Sequence, residues 1–189
     1  MKATLQRVID RAATEGLLDV AYTTTDSPFG TLLLATTPRG VVRIGMPSQN
    51  AEELLEDLSA RVSPRVLEAP AQLDEVRREL DLYFEGRLRD FDIPLDWSLS
   101  KDFRRKVLRA IERIPYGQTR SYTQMARSAG NERAVRAAGS ACGSNPIPIV
   151  VPCHRVLRTS GALGGYGGGL PMKEALLKLE GSLDASPSG

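Results

Sequence analysis

Ser121-Tyr122-Thr123-Gln124-Met125-Ala126-Arg127-Ser128-Ala129-Gly130-Asn131-Glu132-Arg133-Ala134-Val135-Arg136-Ala137-Ala138-Gly139-Ser140-Ala141-Cys142 is the stretch whose reading decides the fold of the second half of the chain. Ser121 is an N-cap for a short helix over Tyr122–Ala129, and Gly130 ends it, because glycine takes the left-handed conformation that closes a helix. Asn131 caps a second helix, Glu132–Cys142, and Gly143-Ser144-Asn145-Pro146 breaks that one. Two short helices joined by a tight glycine-containing turn form a helix-turn-helix pattern. The second helix carries Arg133 and Arg136 on a surface otherwise made of small residues, among them Ala137 and Gly139. Small residues permit close approach to another helix or to a nucleic-acid backbone. On these residues alone, a tightly packed helix pair without a ligand is an equal reading.

Working outward, Asp102–Arg113 places Phe103, Val107, Leu108 and Ile111 at helical spacing before Pro115-Tyr116-Gly117 stops the run. The second half therefore reads as mainly helical. The first half reads differently. Residues 2–15 form a short amphipathic pattern. Three β-like runs follow, Asp19–Thr25, Thr31–Thr36 and Val41–Met46, punctuated by Ser27-Pro28-Phe29-Gly30 and Thr37-Pro38-Arg39-Gly40. They predict a small antiparallel meander. Two helices should come next, Ala51–Ser59 and Ala71–Phe84, the second stopped by Gly86. The chain thus divides into an extension over 1–18, an α/β domain over 19–93, a linker over 94–100, a second domain over 101–184 and a tail over 185–189.

Charge follows the same division. Residues 1–100 hold 11 Lys/Arg against 17 Asp/Glu, a net of −6, whereas 101–189 hold 14 against 6, a net of +8. The total of +2 hides two opposite halves. A basic half is the electrostatic footprint expected of a nucleic-acid binder, although charge alone does not separate this from a solvated surface. No apolar run approaches the ~18 residues that a membrane helix needs. The first 15 residues lack the apolar core of a secretory signal, so a cytoplasmic location is expected. Two cysteines cannot build a disulfide framework, and two cysteines with one histidine are too few for a zinc site of the usual kind, so no metal and no cofactor are expected.

The chemistry should sit in Ile147-Pro148-Ile149-Val150-Val151-Pro152-Cys153-His154-Arg155-Val156. A β-like apolar run leads to a cysteine beside the only histidine. A thiol is a nucleophile as thiolate, which a neighbouring base or positive charge favours. His154 could be that base, directly or through one water, and Arg155 adds positive charge. The plainer alternative is a buried structural cysteine on a core strand.

Pro152-Cys153-His154-Arg155-Val156 resembles the active-site signature of the O6-alkylguanine-DNA alkyltransferases, the methylated-DNA–protein-cysteine methyltransferases. Ile114-Pro115-Tyr116-Gly117, Ser121-Tyr122, Arg136, Asn145-Pro146, Tyr166-Gly167-Gly168-Gly169 and Leu179-Glu180-Gly181 follow the family's order and spacing. Phe29-Gly30 and Leu82-Tyr83-Phe84-Glu85-Gly86 are similar to its N-terminal domain. The resemblance covers about residues 20–182. It implies an α/β fold: a small N-terminal antiparallel sheet with helices, ribonuclease H-like, followed by a helical domain with a helix-turn-helix.

The resemblance also implies direct-reversal DNA repair. An O6-alkylguanine is flipped from duplex DNA, and its alkyl group moves irreversibly to Cys153 in a single turnover. His154 would act as base through a water, with Glu180 holding the imidazole. Tyr122 would protonate guanine N3, and Asn145 would order the turn before the active-site segment. Arg136 would enter from the minor groove and fill the gap left by the extruded base, with Arg133, Ala137 and Gly139 also against DNA. Pro148, Val156, Tyr166, Gly167 and Gly168 would line the guanine pocket, with Lys173 supporting its lid. Carbonyls of Cys153 and Val156 would accept from the exocyclic amine. The partner would be double-stranded DNA carrying O6-alkylguanine, with O4-alkylthymine left open. A monomer is the default, clustering along DNA is left open, and no membrane is expected.

The chain departs from the family in places. Cys142 stands where relatives often carry a larger apolar residue, and an inert buried thiol is expected there. Leu99-Ser100-Lys101 replaces the usual Gly-Thr before the first helix of the second domain. Two competing readings remain: a lesion binder without transferase activity, which would ordinarily lack the acceptor cysteine, and a thiol hydrolase using Cys153 and His154, which lacks an obvious oxyanion loop.

Overall fold

The computed structural model describes residues 18–183, together with Arg7, Arg11 and Gly16. The amphipathic pattern over 2–15 lies outside the described residues, apart from Arg7 and Arg11. By its internal contacts the chain forms two units. One holds the residues up to 81 with 92–99, and the other holds 82–91 with the residues from 100 onward.

The first unit is built on a four-stranded sheet in the order β3-β2-β1-β4, with β1 Val20–Thr25, β2 Leu32–Thr37, β3 Gly40–Gly45 and β4 Val66–Glu68. The β1–β2 and β2–β3 pairs are antiparallel, as the alternating turns predict. The fourth strand, absent from the sequence reading, pairs parallel to β1. Three residues, all at least partly exposed, carry no periodic signal, so this strand exists only because β1 offers an edge. Leu32 to Ala35 are all buried, which marks β2 as covered on both faces. Val20, Leu33, Ala35 and Val42 share one core with Leu58 of helix α1, Ala51–Arg61. Asn50 caps α1 by accepting from the amides of Glu52 and Glu53, an interaction worth about 1 kcal/mol.

The stretch read as a linker is bonded to this sheet. Val41 N–H donates to the Pro94 carbonyl and Asp96 N–H to the Val41 carbonyl, both at 2.8 Å. Gly40 sits at φ 126°, and a Cβ there would stand 2.1 Å from the Pro94 oxygen, so only glycine admits this approach. Buried Asp96 accepts from Thr37 Oγ1 at 2.6 Å, from Arg39 and from the amide of Ser98. Burial alone would raise its carboxyl, but these donors hold it below the ordinary value.

The helix α2, Asp74–Phe84, follows a 3₁₀ turn over Pro70–Leu73, and its last turn groups with the second unit. That unit contains α3 Asp102–Glu112, β5 Arg120–Ser121, α4 Tyr122–Ser128, α5 Val135–Gly143, β6 Val156–Leu157 and α6 Leu170–Leu179. Val107, Leu108 and Ile111 bury one face of α3, and α4 and α5 pack on each other and on it. Ser121 caps α4 in a reciprocal box with Gln124. The start of α5 differs from expectation. Asn131 does not cap it: its Oδ1 accepts from Arg133 N–H, closing a separate turn, and the helix begins at Val135. Ile147–Val151 is not a strand either. It forms a tight loop in which Pro148 and Val151 bridge and Ile149 lies at φ 74°, rare for a β-branched residue. Among the described residues no helix is long and apolar enough to cross a membrane.

Candidate active site

Cys153 opens a single 3₁₀ turn, Cys153–Arg155, behind that loop. Adjacent side chains on such a turn fan out about 120° apart rather than to opposite faces of a strand. Asn145 binds the turn to the loop. Its Nδ2 donates to the Val151 carbonyl at 2.8 Å and reaches Cys153 Sγ at 3.2 Å, while Oδ1 accepts from Ile147 N–H at 3.0 Å. With both ends of the amide engaged, the side chain has one orientation, and the sulfur is held by it.

His154 is fully buried. Its Nε2–H donates to Glu180 Oε1 at 2.9 Å, which leaves Nδ1 as the acceptor nitrogen. Nδ1 is buried and has no protein partner among the described residues. Glu180 follows the last residue of α6 and is buried under five donors. Tyr83 O–H donates to Oε1 at 2.6 Å, Arg155 donates to both oxygens at 2.8 Å, and Gly117 N–H approaches Oε2 at 3.4 Å. Burial alone would raise the Glu180 carboxyl, but hydrogen bonds from His154, Arg155 and Tyr83 hold it at about 2. Burial pushes the His154 imidazole below its ordinary value, against the pull of Glu180.

The Cys153 thiol is pushed up by burial, opposed by the Asn145 hydrogen bond and the charge of Lys173. The resting pair at neutral pH is therefore a thiol beside a neutral imidazole, not the thiolate that a Cys-His-Arg sequence suggests. Arg155 does not supply the expected charge to sulfur, because its guanidinium is taken up by Glu180 and the Ile114 carbonyl. Cys142 is a second free, buried thiol, raised to about 12 by burial.

A cleft of about 410 Å³ runs between Tyr122, Gly139 and Gly143 on one side and Arg158 with Gly164–Gly167 on the other. Tyr122 and Tyr166 line it, and a negative charge on Cys153 would raise both phenols. Burial places the Tyr122 hydroxyl at about 12. Gly164 lies at φ 68°, and a Cβ there would stand 2.9 Å from the Tyr122 hydroxyl, so glycine lets the loop close over this ring. Of the pocket residues expected from sequence, Tyr166 and Gly167 line the cleft. Pro148, Val156, Gly168 and Lys173 do not. Cys153 itself is only 4% exposed and is not part of the lining. Lys173 lies beneath: its buried Nζ donates to the Val156 carbonyl at 2.6 Å and to the Leu163 carbonyl, tying the loop to β6. Arg136 and Ala137 are exposed on α5, Arg133 is exposed in the turn before it, and a Cβ at Gly139 would stand 4.0 Å from the Tyr122 ring.

Two participants escaped the sequence reading. Tyr83 reaches Glu180 across 97 positions of sequence, and Arg158 lines the cleft. No local pattern marks either. Only the resemblance of the segment around Tyr83 to a known N-terminal domain drew attention to it.

Two family profiles match the chain: the ribonuclease-like domain of 6-O-methylguanine DNA methyltransferase over 20–97, and the DNA-binding domain of the same family over 102–182. The chain belongs to the 6-O-methylguanine DNA methyltransferase family. A methylated-DNA–protein-cysteine methyltransferase of Mycolicibacterium paratuberculosis is 44% identical over 161 residues, 85% of this chain and 92% of the relative. A second, from Methanosarcina acetivorans, is 40% identical and covers 85% of this chain and 98% of the relative. The crystal structure of Mycobacterium tuberculosis OGT in complex with DNA superimposes with a TM-score of 0.74 at 41% identity, covering 86% of this chain and 93% of that one. Within this family the chain keeps the Pro-Cys-His-Arg-Val run, and its structure pairs the sulfur with the Asn145 amide and the imidazole with the Glu180 carboxylate.

Proposed function

We propose that this protein repairs DNA by direct reversal, drawing an O6-alkylguanine out of the duplex and transferring its alkyl group irreversibly to Cys153. The observation that carries this reading is two hydrogen-bonded pairs meeting on one 3₁₀ turn, Asn145 with Cys153 and His154 with Glu180, with a cleft lined by two tyrosines nearby. In the step itself, His154 Nδ1 takes the Cys153 proton, through one water. The sulfur attacks the alkyl carbon and the carbon–O6 bond breaks. Guanine leaves as the neutral base because the Tyr122 hydroxyl delivers a proton to N3. The Glu180 carboxylate stabilises the imidazolium that forms, as an orienting acid does in a nucleophile–base pair. The thioether left on Cys153 is a poor leaving group, so each molecule acts once.

A neutral imidazole can accept a proton and a protonated phenol can give one, so the resting charge states suit both roles. Extrusion of the base costs a few kcal/mol, and Arg136, exposed on α5, fills the space from the minor groove. Glycines at 164–168 let backbone approach the flat base, and Lys173 holds that loop. Recognition and chemistry belong to 101–184, with 19–93 as a companion domain. The protein acts as a monomer on double-stranded DNA in the cytosol, where its thiols stay reduced.

Incubation with a duplex containing O6-methylguanine, followed by intact-mass measurement, tests the proposal. One added methyl group on the peptide holding Cys153 is expected, with none on Cys142. No gain of mass, or gain elsewhere, would reject it.

A further inference from the structure

The parallel pair β5–β6 sets Arg120 against Val156 and Ser121 against Leu157. Two steps further along, the hydroxyls of Thr123 and Thr159 lie 3.3 Å apart. Tyr122 and Arg158, the positions between, therefore stand side by side, and both line the cleft of the candidate active site. The Arg158 backbone is pinned there: its N–H donates to the Ala162 carbonyl at 2.8 Å and its carbonyl accepts from Gly161 N–H at 2.9 Å. Its side chain is exposed, and no group among the described residues pairs with the guanidinium. Arg158 is also the one charged side chain among the described residues that line this cleft, the others being two tyrosines and five glycines. Its charge reaches the neighbouring phenol and favours the ionised form of Tyr122 against burial.

We propose that Arg158 grips a phosphate of the extruded nucleotide as its base enters the cleft. The inference rests on the function proposed above, in which the Tyr122 hydroxyl gives a proton to guanine N3. One ring carbon separates N3 from the nitrogen that bears the sugar. Whatever stands beside Tyr122 therefore faces the backbone of that same nucleotide. The residue there is a planar, permanently charged fork that matches two phosphate oxygens at once. Glycines let the cleft close on a flat base but offer no side chain to hold its backbone. A phosphate fixed at Arg158 limits how the base slides and tilts beside Tyr122, which is the ordering that a transfer between two groups requires. The contact carries no sequence information, so it serves a lesion in any surrounding sequence.

The test is single-turnover transfer from a duplex carrying O6-methylguanine, with the phosphate on either side of the lesion replaced in turn by a neutral methylphosphonate. One of the two replacements should slow the parent about tenfold, the loss of one charge-assisted contact. Arg158→Ala should be slowed about as much on the unmodified duplex and should lose almost nothing further from that same replacement, because the two changes remove one interaction. On free O6-benzylguanine, which carries no phosphate, the variant's loss should be much smaller than on the duplex. A parent indifferent to both replacements, or a variant as sensitive to them as the parent, overturns the proposal. Equal losses on free base and duplex also overturn it and assign Arg158 to the acidity of Tyr122 instead. A parent that transfers no methyl group from the unmodified duplex would indict the proposed function, so the two failures are distinguishable.

Discussion

The Tyr83 hydroxyl donates to Glu180 Oε1 at 2.6 Å and lies 3.4 Å from His154 Nε2. A phenol from the end of α2 thus completes the coordination of the carboxylate that holds the imidazole. Burial and the neighbouring Glu180 charge raise this phenol far above its ordinary value, so it is always a donor. The arrangement sets which ring nitrogen faces Glu180 and which remains to accept a proton.

Tyr83→Phe keeps the ring and removes the donor. A hydrogen bond to a charged group is worth roughly 1.5–3 kcal/mol, so the variant should be less stable by that amount. Transfer from free O6-benzylguanine should slow about tenfold, and the His154 titration followed by NMR should move. Unchanged rate and unchanged titration would show the hydroxyl to be idle.

Acid should destabilise the protein in two stages. Glu180 titrates at about 2 in the folded chain against an ordinary 4.5, a difference of roughly 3 kcal/mol. A depressed carboxyl contributes stability that is complete above about pH 4.5 and is lost as pH falls toward 2. His154, held below 6.5 when folded, acts in the same direction at higher pH: the unfolded chain takes up its proton first, so stability declines as pH falls through about 6.5. Denaturant melts across this range should show both stages. Glu180→Gln should be weaker at pH 7 by about 3–5 kcal/mol, because Arg155 loses its buried partner, and should lack the lower stage. A lower stage of undiminished size in that variant would count against the assignment.

Arg136→Ala separates base extrusion from chemistry. The side chain is exposed on α5 and touches none of the Cys153 array, so transfer from free O6-benzylguanine should stay within about twofold of the parent. Repair of O6-methylguanine in a duplex should fall at least tenfold, the equivalent of about 1.4 kcal/mol or more. Equal losses on both substrates would remove Arg136 from the extrusion step.

Ile149→Gly sets strain against burial. The left-handed backbone costs an isoleucine about 1–2 kcal/mol, which glycine would recover. The side chain is fully buried, however, and emptying such a site costs about 2–5 kcal/mol. Burial should win, with a net loss near 2 kcal/mol in urea unfolding. A more stable variant would mean that the loop before Cys153 is held by little else.

Where local pattern carries the information, sequence and structure agree closely. The turn residues around Ser27–Gly30 and Thr37–Gly40 mark a meander whose strands shift by only a residue or so. The Ser121 cap and the Gly130 stop give α4 almost to the residue. Errors occur where a short polar side chain has two options, as at Asn131, or where a strand is recruited by an edge, as at Val66–Glu68. Apolar Ile147–Val151 looks like a strand because burial, not extension, selects its residues.

By itself, the sequence determined which atoms could react: one histidine beside one of two cysteines, in a basic half of the chain, within a run of residues that identifies the family. Only the tertiary structure decided their state. Burial lifts the thiol and depresses the imidazole, and Glu180 gathers donors from Tyr83, His154, Arg155 and Gly117, residues that lie up to 97 positions away. The reason is physical: a proton's preference depends on desolvation and on neighbours a few ångströms away, and those are set by how distant segments pack, not by the order in which residues are joined.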